Sequence, residues 1–304
     1  MTDPGTGRTL RAATRRSPLA IWQAEHVRGL LQAAHPGLQV ELVGLETEGD
    51  QRLDVPISAI GGKGVFAKEV QQAVLAGRAD FAVHSAKDLP AVTVEGLVLA
   101  SVPTRGDARD ALVGATLAAL PQGATVATGS QRRRALLARM RPDLAFAELR
   151  GNMASRLSKV PDGGAIVVAA AAFQRLGLAE HLTQVFEVSE MTPQVGQGAL
   201  AIECQADDQA TLDLLASIEH GPSRRQVNAE RAFLAELGGD CDLPAGAHAR
   251  FDGVQDNGIL ILDAFLATEG TASARFQSHQ ASGEDPESLG TSVARHLRSA
   301  LGPT

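Results

Sequence analysis

The chain has 304 residues, 44% hydrophobic and 21% charged, with a net charge of −7. An acidic total argues against nucleic-acid binding, which works through a basic surface, and no apolar run approaches the roughly 18 residues of a membrane span. Two cysteines, Cys204 and Cys241, are too few for a disulfide framework, and the scattered histidines offer no metal-ligand spacing, so no metal site is expected.

In chain order, "TLRAAT" reads as a strand and "SPLAIWQAEHVRGLLQAAHPG" as a helix, with Ser17 as its cap and Pro18 at the first helical position. "LQVELVGL" is a second strand. The glycine-rich "IGGKGVFAKEV" leads into a helix through "KEVQQAVLAGR", and "ADFAVHSAKDLP" is a strand followed by a sharp turn. This alternation is the pattern of a parallel α/β sheet.

The pattern restarts near Ser101. "ATVATGS" is a strand, "QRRRALLARM" a helix, "LAFAELR" a strand, "GNMASRLSKV" a short helix and "GAIVVAAAAF" a wholly apolar strand. "QVGQGALAIEC" reads as a further strand that returns to the first domain. From Glu219 the grammar turns α+β: a helix "RRQVNAERAFLAEL", a loop with Cys241, alternating strands "AGAHARF" and "GILILDAFLA", and a closing helix "DPESLGTSVARHLRSALG". The expected domains are residues 8–103 with 196–218, residues 104–195, and residues 219–304.

Polar clusters follow the strands, where α/β proteins bind ligands. They are "TRRS" (Thr14 to Ser17), "GGKG" (Gly61 to Gly64), "HSAKD" (His84 to Asp88), "TGSQRR" (Thr128 to Arg133) and "RGNMASR" (Arg150 to Arg156). Between Gln131 and Val160, seven arginines and one lysine face only Asp143 and Glu148, a local excess of six positive charges. Arginine recognises carboxylates through paired donors, and a helix start offers unpaired N–H groups. The segment therefore suits a ligand with several carboxylates; the alternative is a set of arginines coating solvated helix faces. "GGKG" lacks the spacing of a nucleotide-binding loop. His84 and Ser85 are adjacent on a strand and point to opposite faces, so His84 is read as structural. Asp88 is either a turn residue or a working carboxylate.

Seven of these segments, in order, resemble the porphobilinogen deaminase family: "RAATRRSPLAIWQAEHV", "GGKGVFAKE", "ADFAVHSAKDLP", "ATGSQRRRALL", "LRGNMASRLSK", "VGQGALAIEC" and "GGDCDLPAGAHA". The resemblance implies two periplasmic-binding-protein-like α/β domains flanking a cleft, plus a smaller C-terminal α+β domain. It implies a dipyrromethane cofactor attached covalently through Cys241. It also implies joining of four porphobilinogen molecules head to tail, with loss of ammonia and final release of hydroxymethylbilane by water. Each pyrrole carries an acetate and a propionate, which accounts for an arginine-rich site.

By the same resemblance Asp88 is catalytic. Arg15, Ser17, Lys63, Ser85, Lys87, Thr128, Ser130, Arg132, Arg133 and Arg150 contact the cofactor. Arg15, Ser17, Arg150, Arg156, Gln197 and Gly198 contact porphobilinogen and the growing polypyrrole chain. Cys204 is read as a packed thiol. The chain departs from the family pattern at Ala59, where a lysine is common, at Gly129, where a serine is common, and at Asp240 and Asp242, two acids beside Cys241. A monomer in the reducing cytoplasm is expected, with no nucleic-acid or membrane partner. Two other readings stay open on the residues alone. One is an anion-binding protein that closes without chemistry, and the other is a hydrolase with Cys241 as nucleophile.

Overall fold

The computed structural model describes residues 9–47, 64, 66–238, 243–253, 258–268 and 275–302. It divides into two compact units. The first runs to Arg105 and includes Ala199–Arg225; the second is Gly106–Gly198 with residues from Gln226 onward.

The first unit opens with strand β1 (Thr9–Arg15), helix α1 (Pro18–Ala34) and strand β2 (Gln39–Leu45). The Ser17 side chain caps α1 by accepting from the Ala20 N–H at 3.4 Å. Ala20, Gln23, Ala24, Val27 and Leu31 form its buried stripe at helical spacing. Helix α2 (Lys68–Leu75), strand β3 (Phe81–Ser85), a single 3-10 turn at Ala86–Asp88 and strand β4 (Leu97–Ser101) follow. On β3, Phe81 and Val83 join the core under α1, while Ala82 packs with Val70, Ala73 and Val74 of α2. A strand covered on both faces leaves its C-terminal end as the outlet for polar groups.

The second unit starts with β5 (Asp110–Val113), β6 (Thr125–Ala127), α3 (Gln131–Met140), β7 (Ala145–Ala147) and α4 (Met153–Leu157). Strand β8 (Ala165–Ala169), helix α5 (Ala170–Arg175) and β9 (Gln184–Val185) complete this part. The sheet order is β7-β6-β8-β5-β9. Strands β6, β7 and β8 are mutually parallel, whereas β5 runs antiparallel to β8 and β9. The expected strand "GAIVVAAAAF" ends at Ala169 and its alanines continue as α5. Alanine has the highest helix propensity, and once the β-branched residues end nothing holds the chain extended.

Strand β10 (Leu200–Gln205) returns to the first unit, as expected, but antiparallel to β3 and β4, giving the order β2-β1-β3-β10-β4. The sheet is thus mixed rather than wholly parallel. Helix α6 (Gln209–Ala216) follows, and its Asp208 cap was not among the sequence expectations. Helix α7 (Gly221–Glu236), β11 (Ala245–Phe251), β12 (Leu260–Ala267), β13 (Phe276–Gly283) and α8 (Pro286–Leu301) form the C-terminal part. The three strands make one antiparallel sheet in the order β11-β12-β13. β13 escaped the sequence reading because its face is polar: no residue in it is fully buried. Gly290 of α8 touches α7 closely enough that a Cβ would meet the Ala229 carbonyl oxygen.

Candidate functional site

The first unit presents its polar groups at the ends of β1 and β3. Arg15 is the last residue of β1, and its guanidinium lies over the Phe66 ring, 4.2 Å from the centroid. Ser85 ends β3, and the 3-10 turn carries Lys87 and Asp88, both half-buried. The turn is pinned because the Ala86 N–H donates to the Ala199 carbonyl at 3.0 Å. No hydrogen bond to the Asp88 carboxylate comes from the described residues. His84 is buried and its Nε2 lies 3.3 Å from Glu203 Oε2, which also accepts from Gln71 Nε2 at 2.7 Å. This is the structural role expected of it. Cys204 is fully buried in β10, and burial, with Asp208 and Glu203 nearby, pushes its thiol up to about 12.

The second unit carries the arginine cluster. Ser130 caps α3, its Oγ accepting from the Arg133 N–H at 3.4 Å, and Thr128 Oγ1 accepts from the Ser130 N–H at 3.2 Å. Each hydroxyl thereby keeps its O–H as a donor. Arg132 and Arg133 do not coat a solvated face: they are 3% and 7% exposed, and that reading is overturned. Both reach Asp110 on β5, which is wholly buried. Arg132 Nη2 lies 2.7 Å from Oδ2, while Arg133 donates from Nε and Nη2 to Oδ1 at 3.0 and 2.7 Å. Arg133 Nη1 also donates to the Val167 carbonyl, and Arg132 Nη1 to that of Thr192 at 2.6 Å. Burial pushes the Asp110 carboxyl up, but the two guanidinium groups outweigh it and hold it at about 2. Burial lowers the Arg132 pKa, opposed by Asp110.

Arg150 is half-buried after β7, with its Nη1 buried and without a hydrogen-bond partner among the described residues. Arg156 on α4 donates from Nε to the Gly151 carbonyl at 2.8 Å. Gln197 is fully buried, and its Nε2 donates to the Ala108 carbonyl at 2.7 Å and to Asp110 Oδ1 at 3.0 Å. The Gly198 carbonyl accepts from the Gly106 N–H and from Arg175 Nη2. Thus Arg132, Arg133 and Gln197 converge on Asp110, and Thr128 and Ser130 lie at the start of the helix that carries the two arginines. Lys63, Cys241, Ala59, Asp240 and Asp242 lie outside the described residues.

Three residues escaped the sequence reading. Asp110, an acid in the apolar run "DALV", had a signal: a carboxylate in a buried strand needs a cation. Arg175 ends α5, and burial pushes its guanidinium down to about 10. Glu230 is wholly buried on α7, among Val227, Ala229 and Phe233, a charge on an apolar helix face.

The cluster can be tested against a polycarboxylate ligand. Two buried guanidinium groups share one carboxylate, which leaves a positive excess. Arg132 Nε is buried without a hydrogen-bond partner among the described residues. Buried charge of this kind is costly unless neutralised, and the adjacent hydroxyl donors and helix start favour an anion. The residues fit a group bearing several carboxylates. Fold and site together define an α/β protein with a buried, cation-rich cluster.

The family model "Porphobilinogen deaminase, dipyromethane cofactor binding domain" matches residues 10–213, and "Porphobilinogen deaminase, C-terminal domain" matches residues 225–299. The chain belongs to the porphobilinogen deaminase family, and its larger matched region is a dipyrromethane-binding domain. It is 44% identical over 294 residues to the porphobilinogen deaminase of Acidithiobacillus ferrooxidans, covering 95% of this chain and 94% of that one. It is 46% identical to that of Xanthomonas axonopodis pv. citri, with 95% of each chain covered, and 45% identical to that of Roseiflexus castenholzii, with 97% of each covered. Among solved structures it is similar to the methionine-binding protein MetQ, with a TM-score of 0.44, 14% identity and 78% and 96% of the two chains covered. A TRAP periplasmic solute-binding protein of Desulfovibrio salexigens gives a TM-score of 0.42, 12% identity and coverage of 69% and 70%. Among the described residues no helix is long and apolar enough to cross a membrane.

Proposed function

We propose that this enzyme is a hydroxymethylbilane synthase, a transferase of tetrapyrrole and heme biosynthesis that joins four porphobilinogen molecules head to tail. The observation that carries the reading is the buried Arg132–Asp110–Arg133 cluster, a cation excess inside the matched cofactor-binding domain. Cys241 would hold the cofactor as a thioether, its sulfur taking the place of an aminomethyl nitrogen that leaves as ammonia with the thiol proton. When bound, the dipyrromethane supplies the pyrrole carbon that attacks the first substrate.

At each coupling a C–C bond forms, ammonia leaves, and one ring proton is lost. Water supplies the hydroxyl of the released product, so four porphobilinogens and one water give hydroxymethylbilane and four ammonia molecules. Arg132, Arg133 and Arg150 hold the acetate and propionate groups of the cofactor, with Thr128 and Ser130 donating their O–H groups. Arg15 and Ser17, at and just after the end of β1, Ser85 and Lys87, at and just after the end of β3, and Lys63 contact the cofactor. Arg15, Ser17, Arg150, Arg156, Gln197 and Gly198 serve the substrate and the growing chain. Asp88 offsets the positive charge that develops as the amine departs, then takes the ring proton. In this reading the working form is a cytoplasmic monomer of three domains, residues 8–103 with 196–218, 104–195 and 219–304.

Intact-mass measurement of the purified chain tests the proposal. It should carry the mass of two pyrrole units, gain further units in steps when mixed with porphobilinogen, and lose the adduct altogether in Cys241→Ser. An unmodified mass that stays constant with porphobilinogen would leave an anion binder instead.

A further inference from the structure

We infer that Glu230 is a positioning residue that clamps residues 192–198 and thereby sets the arginine cluster relative to the elements flanking the cysteine loop. The inference rests on the functional reading above. Glu230 is wholly buried on α7, the helix that ends at Glu236, just before that loop. Its carboxylate accepts two backbone N–H groups, Gly196 on Oε2 at 2.7 Å and Ala249 of β11 on Oε1 at 2.9 Å. His248 Nδ1 lies 3.6 Å from Oε1. Strand β11 begins at Ala245, just after the loop. One side chain therefore ties both flanks of the loop to the 192–198 segment.

Two further contacts fasten that segment to β11. The Ala247 N–H donates to the Pro193 carbonyl at 3.1 Å, and a Cβ on Gly246 would lie 2.7 Å from the same oxygen. At its other side the segment holds the arginine cluster at two points. The Thr192 carbonyl accepts from Arg132 Nη1 at 2.6 Å, and Gln197 Nε2 donates to Asp110 Oδ1 at 3.0 Å. Gly196 and Gly198, on either side of Gln197, have φ of 71° and 85°, a conformation other residues rarely adopt. The turn that aims Gln197 is thus held by Glu230 at its first glycine.

A carboxylate is required here because two N–H groups point at it. Glutamine offers one acceptor and turns an NH₂ toward the other N–H. Loss of one tether lets the segment shift, and misplacement by about 1 Å can reduce a rate by about 100-fold.

The test follows the time course of adduct formation, by intact mass, when the unloaded chain is mixed with porphobilinogen. Glu230→Gln should slow loading about 10- to 100-fold. A control, Leu262→Ala in the core of β12, should load at the wild-type rate when compared at matched fractions of folded protein. Equal loading by Glu230→Gln and the control would make Glu230 merely structural and overturn the inference. Should Glu230→Gln fail to fold, Gly246→Ala crowds the Thr192 and Pro193 carbonyls and so displaces the segment while leaving the Glu230 carboxylate in place. Slow loading there supports the clamp, and wild-type loading overturns it. A wild-type chain that never gains mass overturns the functional reading itself, a result visible before any variant is made.

Discussion

Arg132 meets Asp110 at 2.7 Å where both side chains are almost wholly withdrawn from water. Arg133 takes the other carboxylate oxygen, so one acid is shared between two bases. Removing one partner of a buried pair leaves an uncompensated charge, at a cost of about 3–5 kcal/mol. Asp110→Asn should lower unfolding free energy by that amount, read from urea denaturation at pH 7. The wild type should also show the titration. The folded carboxyl is held at about 2, below its unfolded value near 3.8. The stabilisation is therefore fully present above pH 4 and is lost as pH falls toward 2, by about 2 kcal/mol. The Asn variant should lack that step.

Arg133→Leu should affect both stability and loading. Arg133 makes two bonds to Asp110 and one to the Val167 carbonyl, all buried. A surface arginine would change stability by about ±0.5 kcal/mol; this one should cost about 3 kcal/mol. Calorimetry gives the first quantity and adduct mass the second. A small thermal change with normal loading would contradict the buried arrangement.

Asp88→Asn keeps the shape of the turn and removes charge and basicity. Fold and much of the substrate affinity should persist, while single turnover slows about 10²–10³-fold. Asp88→Glu should retain part of the activity. Quench-flow with mass analysis of the enzyme-bound chain gives the rate of each addition, and a wild-type rate in the Asn variant would leave Asp88 as a turn residue.

The two cysteines should differ chemically. With its thiol pushed up to about 12, Cys204 is a thiolate in only about 10⁻⁴ of molecules at pH 8. Iodoacetamide at that pH should label Cys241 in the unloaded chain and spare Cys204, as judged by peptide mass. Cys204→Ser should keep the cofactor adduct.

Gly198→Ala tests the segment before β10. The glycine has φ of 85°, and a Cβ would lie 2.6 Å from the Gly106 oxygen and 2.8 Å from that of Asp107. Strain and overlap together should cost about 3 kcal/mol, measured by thermal unfolding.

Much of this architecture was legible in local patterns. Ser17-Pro18 marked α1, the alternation in "AGAHARF" marked β11, and "ALAIEC" marked the returning strand. These signals are confined to a few neighbouring residues. What stayed hidden depends on partners distant in the chain. Asp110 acquires its role only because α3 delivers Arg132 and Arg133, and Glu230 only because Gly196 and Ala249 turn their N–H groups toward it. The polar strand β13 carries no buried residue to betray it, and the alanine run after Val168 suits strand and helix alike until packing decides. For the arginines, charge density pointed to an anion, but only burial separates them from a solvated face.

The position of β10 has a consequence for biosynthesis. It lies between β3 and β4, so the first four strands alone cannot form a continuous sheet. Its last residue, Gln205, follows the end of β4 at Ser101 by about a hundred residues. At ribosomal speeds of about 5–20 residues per second, the gap stays open for about 5–20 s. During that interval β3 and β4 each present an unpaired edge, the feature that invites strand addition from other chains. The first unit to be started therefore stays open until about two-thirds of the chain has been made, and a nascent chain stalled between residues 102 and 199 should be a preferred client of chaperones that shield open sheet edges.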